Sequence, residues 1–284
     1  MASLAAQSQS VRSLVITDNG SSDATVSRVT AIARSMPFPV GIVKSSNVGF
    51  AAGVLAAGQH SLVDASLPTL CINPDLELAA GALPAMLSCL YSDDRVGVVT
   101  APLVGIDGEP DSASVRKLPK SGTASVYAVL GRLTPKRLRY NNLGMQEGTH
   151  SGPISSYAIE ATTGALMLVN PSFRSADVGL FDTQYWMYGE DLQLCEDARV
   201  LGWKIMIAGV APSLHIKGVS SGWPRSARSN KAFHDALRMY YDKNLSKGGM
   251  TDHLVHAGIL VRYALTHLVG GIVRKKRDIL EGVD

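Results

Sequence analysis

The pattern of apolar and polar positions changes character three times along this chain of 284 residues. In the first third, short apolar runs alternate with amphipathic stretches. Arg12-Ser-Leu-Val-Ile-Thr17 reads as a buried strand and Asp18-Asn-Gly-Ser-Ser-Asp23 as a turn. Asp23 is placed to cap a helix running to about Arg34, because its carboxylate can accept from the free N–H groups of a first turn. Pro39 to Lys44 predicts a second strand, Gly49 to about Gly58 a short Ala-rich helix, and Thr69-Leu-Cys-Ile-Asn73 a third strand ended by Pro74-Asp75. Ala79 to Leu90 predicts a helix and Val96 to Thr100 a strand. Strands separated by helices of this length imply βαβ units, hence an α/β fold with a mostly parallel central sheet flanked by helices.

From Gly105 to about Glu160 the chain is turn-rich and basic, with Arg116, Lys117, Lys120, Arg132, Lys136, Arg137 and Arg139. This reads as an excursion over the sheet, with one short helix near Ala124 to Leu130. Order returns with Gly164-Ala-Leu-Met-Leu-Val169, a strand, and then the aromatic run Phe181-Asp-Thr-Gln-Tyr-Trp-Met-Tyr188. A helix from Glu190 to Leu201 follows, with Leu194, Ala198 and Leu201 on one face and Gly202 as its stop. Trp203 to Ala208 is another strand, His215 follows closely, and beyond Arg225 the chain reads as helical to its end. The expected division is a main domain over 1–220, with halves 1–103 and 104–220, and a helical extension over 221–284.

Composition narrows the class. Apolar residues make up 46% and charged residues 18%, enough for a sizeable core and too little charge for disorder. A net charge of +3 is too mild to argue for a nucleic-acid partner. Cys71, Cys89 and Cys195 are odd in number and lie in apolar segments without metal-type spacing, which reads as buried reduced thiols in a cytoplasmic protein. Met1 to Ser10 lacks the basic start and apolar run of a signal peptide. No stretch reads as a clean transmembrane helix.

In open α/β sheets, ligands sit beyond the carboxyl ends of strands. Asp18-Asn19, Asn47 and Asn73-Pro-Asp75 all fall there. Each has a bland reading too: an Asx turn, a tight strand-to-helix turn, and a turn opening the next helix. Glu190-Asp191 at a helix start also complements the helix dipole without any function.

Taken in order, Asp18-Asn-Gly-Ser-Ser-Asp23, Asn47-Val-Gly-Phe-Ala-Ala-Gly53, Asn73-Pro-Asp75, Thr163-Gly-Ala165 and Phe181-Asp…Tyr188-Gly-Glu-Asp191 resemble glycosyltransferase family 2, the inverting GT-A fold. Within it the chain is similar to bacterial rhamnosyltransferase-like enzymes of cell-wall and surface glycans, over roughly Leu4 to Asn244. The resemblance implies a nucleotide-sugar-binding half and an acceptor-binding half within 1–220. It implies nucleotide-sugar contacts from Asp18, Asn19, Asn47, Gly49, Phe50, Asn73 and Gly164. It implies Asp191 as general base, with Glu190 as its neighbour orienting the acceptor.

Asn73-Pro-Asp75 stands where the family carries Asp-x-Asp, so Asp75 is the remaining carboxylate for Mg²⁺ or Mn²⁺, joined by His215. Trp186 and Tyr188 suit stacking on an acceptor sugar, and equally core packing. Lys217 would add charge near the phosphates. Val54 stands where related sequences often carry Asn. The donor expected is dTDP-rhamnose, with UDP-sugars next, and the acceptor a glycan or lipid-linked glycan. A degenerate, non-catalytic relative is the rival reading, since the family's opening strand has no counterpart before Leu4-Ala-Ala-Gln7, which reads as the end of its first helix.

A nucleotidyltransferase would need a Gly-rich phosphate loop near the start, and a dehydrogenase Gly-x-Gly-x-x-Gly; neither is present. His253 to Val273 is apolar apart from Arg262, and Arg274-Lys-Lys-Arg277 follows. That pattern fits a helix on an anionic membrane surface, at the inner face of the cell membrane. The alternative is a helix packed on the domain or in a homodimer.

Overall fold

The computed structural model describes residues 1–120, 122, 126, 134–135, 155–173, 180–216 and 226–281. The expected helix at Ala124 to Leu130, the basic residues Arg132 to Arg139, and Lys217 lie outside that description apart from isolated positions. The chain forms two compact units, one of residues 1–118, 141–186 and 190–216, the other of 119–140, 187–189 and 217–284.

The first unit is α/β. Strand β1 (Leu14–Asp18) pairs in parallel with β2 (Val40–Lys44), from Leu14 opposite Val40 to Asp18 opposite Lys44. Helix α1 (Ala2–Ala5) precedes this pair, α2 (Thr25–Ala33) connects it, and α3 (Phe50–Gly58) follows. Asp23 serves α2 as expected in chemistry but one residue early: Ala24 holds the cap position, while the Asp23 carboxylate accepts from Thr25 N at 2.9 Å.

A five-stranded sheet has the order β3 (Thr69–Ile72), β8 (Leu166–Val169), β5 (Val96–Thr100), β9 (Lys204–Ile207), β7 (Tyr157–Ile159). Strands β3, β5 and β9 run one way; β8 and β7 oppose their neighbours. Antiparallel insertion of β8 between β3 and β5 needs no crossover helix, since the long excursion before it lets the chain enter from either end.

A small sheet, β4 (Leu76–Glu77), β10 (Ser213–His215), β6 (Leu103–Val104), was not legible in the sequence. It takes up Leu76 and Glu77, so α4 runs Ala82–Leu90 rather than from Ala79. The side chain of Gln7 helps cap α4: its Oε1 accepts from Leu83 N at 2.9 Å and its Nε2 donates to Ala79 O at 3.2 Å. On one edge β1 pairs with β2 and β3 with β8; among the described residues no strand occupies the other edge of either.

The core explains the order. Every residue of β5 and β8 is buried, the signature of strands covered on both faces. Met86 and Leu90 of α4 pack with Val96, Val99, Leu103, Leu166 and Leu168 in one cluster. Each such side chain contributes about 1.5–3 kcal/mol on burial. Helix α5 (Glu190–Val200) buries Leu194, Cys195 and Ala198, and ends before Gly202, whose φ of +73° an L side chain rarely adopts.

The second unit contains a helical hairpin, α6 (Ala227–Asn244) and α7 (Met250–Glu281). Tyr241, Val255 and Ile259 form its seam. Asp252 anchors the turn, accepting from Tyr241 Oη at 2.7 Å, Ser246 Oγ at 2.6 Å and Gly248 N at 2.8 Å. Met250–Gly271 is, by length and composition, apolar enough to cross a membrane, contrary to the sequence expectation. Arg262 interrupts the apolar pattern, but its guanidinium lies over the Phe233 ring, 5.4 Å from the centroid, on the face turned to α6. The opposite face exposes Met250, Leu254, Leu260, Val261, Leu265, Leu268 and Val269, each more than half exposed.

Candidate active site

The ends of β1 and β2 and the start of α3 form one edge of the site. Asn19, just beyond β1, donates from Nδ2 to Gly49 O at 2.8 Å and accepts at Oδ1 from Val48 N at 3.3 Å. Asp18 accepts weakly from Ser21 N at 3.3 Å, the Asx turn of the bland reading. Asn47 is exposed in the same loop. Gly49 is obligatory on two counts: its φ is +98°, and a Cβ there would lie 2.2 Å from Trp186 O. Phe50 N then donates to that Trp186 carbonyl at 2.8 Å, and the Phe50 ring tilts against Phe181 at 5.5 Å.

Gly164 joins this edge to the acid pair. A Cβ on Gly164 would meet Phe50 Cε1 at 3.4 Å and Asp191 Cβ at 3.5 Å. Asp191 Oδ2 accepts from Gly164 N at 3.2 Å and from Arg116 Nη2 at 2.5 Å, while Oδ1 lies 2.7 Å from Leu192 N. The same Arg116 nitrogen donates to Thr162 O. Glu190 differs from its neighbour. It is 7% exposed, and its Oε2 is buried with no hydrogen-bond partner. Burial first, and then the charge of Asp191, push its carboxyl up to about 8. Burial thus favours the neutral form of Glu190, while Asp191 retains solvent access with a side chain 13% exposed.

Asn73 and Asp75 mark the third edge. Asn73 N donates to Ala165 O at 2.9 Å, fixing the end of β3 against the turn before β8. Asp75 O accepts from Ile216 N at 2.8 Å, which brings His215 alongside. His215 Nε2 is 3.5 Å from Asp75 Oδ1, and its Nδ1 is 2.7 Å from Asp111 Oδ2. Asp111 first and Asp75 second push the imidazole up to about 9 against the opposing effect of burial. Asp75 Oδ1 is buried and accepts no hydrogen bond, so a strong oxygen acceptor faces a ring nitrogen across a gap. That pair fits a divalent cation such as Mn²⁺, which would bind Nε2 in place of its proton. Among the described residues no group of three His, Cys, Asp or Glu is placed to hold a metal ion by itself, so the remaining coordination positions would come from phosphate oxygens and water.

Trp186 lies against Gly49 and Phe50 in the first unit. Tyr188 belongs to the second, where its hydroxyl is 2.8 Å from Ser229 Oγ and its ring meets Phe233 edge-on at 5.8 Å. Its φ of +70° is unusual for a residue with a side chain. Asp111, Arg116 and Thr162 were missed as site residues. Arg116 had been read only as one charge in a basic excursion, and no periodicity marks Asp111.

An α/β sheet with polar side chains gathered at strand ends and an acid pair opening a helix is the layout of a GT-A glycosyltransferase. The sequence profile described as glycosyl transferase family 2 matches residues 1–158, and the chain belongs to that family. It is 28% identical over 245 residues to an N-acetylglucosaminyl-diphospho-decaprenol L-rhamnosyltransferase of Mycobacterium tuberculosis, covering 82% of this chain and 75% of the relative.

Similar folds among solved structures include residues 1–349 of S. aureus TarS, with a TM-score of 0.51, 14% identity, and coverage of 91% of this chain and 65% of that one. They also include GalNAc-T7 with UDP, GalNAc and Mn²⁺, with a TM-score of 0.57, 12% identity, and coverage of 80% and 41%. The mannosyltransferase PcManGT of Pyrobaculum calidifontis, in complex with GDP-Man and Mn²⁺, has a TM-score of 0.50, 13% identity, and coverage of 91% and 65%. The chain thus spans less than two thirds of each of these solved chains.

Proposed function

We propose that this glycosyltransferase is an inverting, divalent-cation-dependent rhamnosyltransferase, moving rhamnose from dTDP-rhamnose to a hydroxyl of a lipid-linked cell-wall glycan. The observation that carries it is the contrast within the acid pair. Asp191 is solvent-accessible and held by Arg116 and Gly164 N, while Glu190 is buried beside it. Asp191 takes the proton of the acceptor hydroxyl as that oxygen attacks the anomeric carbon. The bond to the diphosphate oxygen breaks on the opposite face, which inverts the centre. Glu190 supports the acceptor side as a neutral neighbour.

Asp18, Asn19, Asn47, Gly49, Phe50, Asn73 and Gly164 line the nucleotide-sugar end, and Trp186 and Tyr188 take the acceptor. Asp75 and His215 would hold Mg²⁺ or Mn²⁺, which when bound neutralises charge developing on the leaving diphosphate. The rhamnosyl donor and lipid-linked acceptor follow the M. tuberculosis relative's name, and Mn²⁺ follows the titles of the GalNAc-T7 and PcManGT complexes. The exposed apolar face of α7 supports work at an anionic membrane surface, on the cytoplasmic side, where such an acceptor resides.

The test is transfer from dTDP-rhamnose, with UDP-sugars in parallel, to an N-acetylglucosaminyl-diphospho-polyprenol in detergent. Product formation that falls about 10²–10⁴-fold in Asp191→Asn is expected. Turnover unchanged in that variant would remove Asp191 as the base. Turnover with a UDP-sugar alone would replace the donor.

A further inference from the structure

The segment 110–118 reaches both ends of the site, through Asp111 at His215 and Arg116 at Asp191. It is pinned throughout: Asp111 N donates to Leu103 O at 2.8 Å, Ser114 Oγ to Asp111 O at 2.7 Å, and Thr162 Oγ1 to Ser114 O at 2.8 Å. Arg116 and Ala161 exchange backbone hydrogen bonds at 2.9 and 3.0 Å, and Leu118 N donates to Glu160 Oε2 at 3.0 Å. Asp111, Ser114, Val115, Arg116 and Leu118 are all buried. A short irregular segment fixed this tightly places its side chains accurately, as a site needs.

The structure assigns segment 110–118 as a positioning strap, in which Asp111 aims the His215 ring at Asp75 and Arg116 aims the Asp191 carboxylate. The assignment rests on the cation and base roles proposed above. At the cation end, Asp111 Oδ2 binds Nδ1 of His215, which leaves Nε2 as the nitrogen directed at Asp75. A carboxylate behind a metal-binding imidazole fixes both tautomer and ring orientation. At the base end, one guanidinium nitrogen bridges Thr162 O and Asp191 Oδ2, tying the carboxylate to fixed backbone. Among the described residues, Glu190 and Cys195 also feel the charge of Asp191, and both are buried. The guanidinium is thus the contact that can orient Asp191 from the strap. Neither Asp111 nor Arg116 touches donor or acceptor in this scheme; each acts through His215 or Asp191.

The experiment uses the full chain with Asp111→Asn, Arg116→Gln and Arg116→Lys, each checked for native circular dichroism. Manganese binding is read by electron paramagnetic resonance with Mn²⁺ alone, so it needs no donor or turnover. Asp111→Asn is expected to weaken Mn²⁺ binding about 10–100-fold, with Arg116→Gln unchanged; unaltered Mn²⁺ affinity in folded Asp111→Asn overturns the cation half. A crystal structure of Arg116→Gln is expected to show the Asp191 side chain in a new rotamer, and Asp191 unmoved overturns the base half.

In turnover, Arg116→Gln is expected to lower kcat about 10–100-fold, the cost of a misplaced group, with donor KM within about threefold. Arg116→Lys should recover part of that loss. If Arg116→Gln does not fold, Arg116→Met carries the same two measurements, and a wild-type kcat with Asp191 unmoved overturns the base half. Loss of turnover in Asp191→Asn beside unchanged Arg116 variants would sink the strap alone. A wild type inactive with every donor would sink the functional reading, while the Mn²⁺ and crystallographic results still decide the strap.

Discussion

Two adjacent acids illustrate how little residue type decides by itself. Glu190 and Asp191 share a helix start, but one faces the core and the other the site. Burial raises the Glu190 carboxyl to about 8 from an ordinary value near 4.5. Between those values the folded state holds a proton that the unfolded state has released, so stability falls as pH rises through this window. Glu190→Gln is expected to remove up to about 1.4 kcal/mol per pH unit of that slope. Urea unfolding at several pH values from 5 to 8 measures it, and an unchanged slope would mean the buried acid ionises freely. Gly49 makes a second test at this scale. Gly49→Ala forces a Cβ onto Trp186 O at a positive φ, for an expected loss of about 1–3 kcal/mol in denaturant titration.

At the scale of elements, long periodic or uniformly apolar stretches were legible and short contextual ones were not. β1, β2, β3, β5, β8, β9 and α5 fall where the apolar runs predict them, because each run is long enough to declare its period. The two-residue strands β4 and β6 are too short to show any period and exist only because β10 lies between them. Helix α7 shows the reverse effect. Arg262 broke its apolar run in sequence, while in three dimensions it sits over Phe233 and leaves the outer face apolar. Replacing Val261 and Leu265 together by Glu is expected to reduce binding to phosphatidylserine-containing vesicles about tenfold or more, from the apolar area withdrawn. Both side chains are 59% exposed, so the melting temperature should hardly move. Equal vesicle binding by the variant would exclude this face as the contact.

For the whole molecule, the candidate cation site lies at the junction of the small sheet and β3, outside the apolar cluster that holds the fold. Chelation with EDTA is therefore expected to abolish transfer while shifting the melting temperature by no more than a few degrees, with Mn²⁺ or Mg²⁺ restoring activity. Collapse of the fold on chelation would instead identify a structural metal.

The sequence by itself determined the α/β class, the order of the main strands and the family motifs, because apolar periodicity and short motifs are local properties of the chain. It placed Asp75, His215, Gly164 and Asp191 near the turns of the candidate site, and the family resemblance set Asp191 apart from Glu190 as the expected base. Tertiary structure alone decided which of the two carboxyls is buried, since that depends on which side chain the core desolvates. It likewise decided the contacts of Asp111 and Arg116, whose partners His215 and Asp191 lie 104 and 75 positions away in sequence. No local pattern encodes a contact of that span; it exists only once the sheets have brought strap, strand end and helix start together.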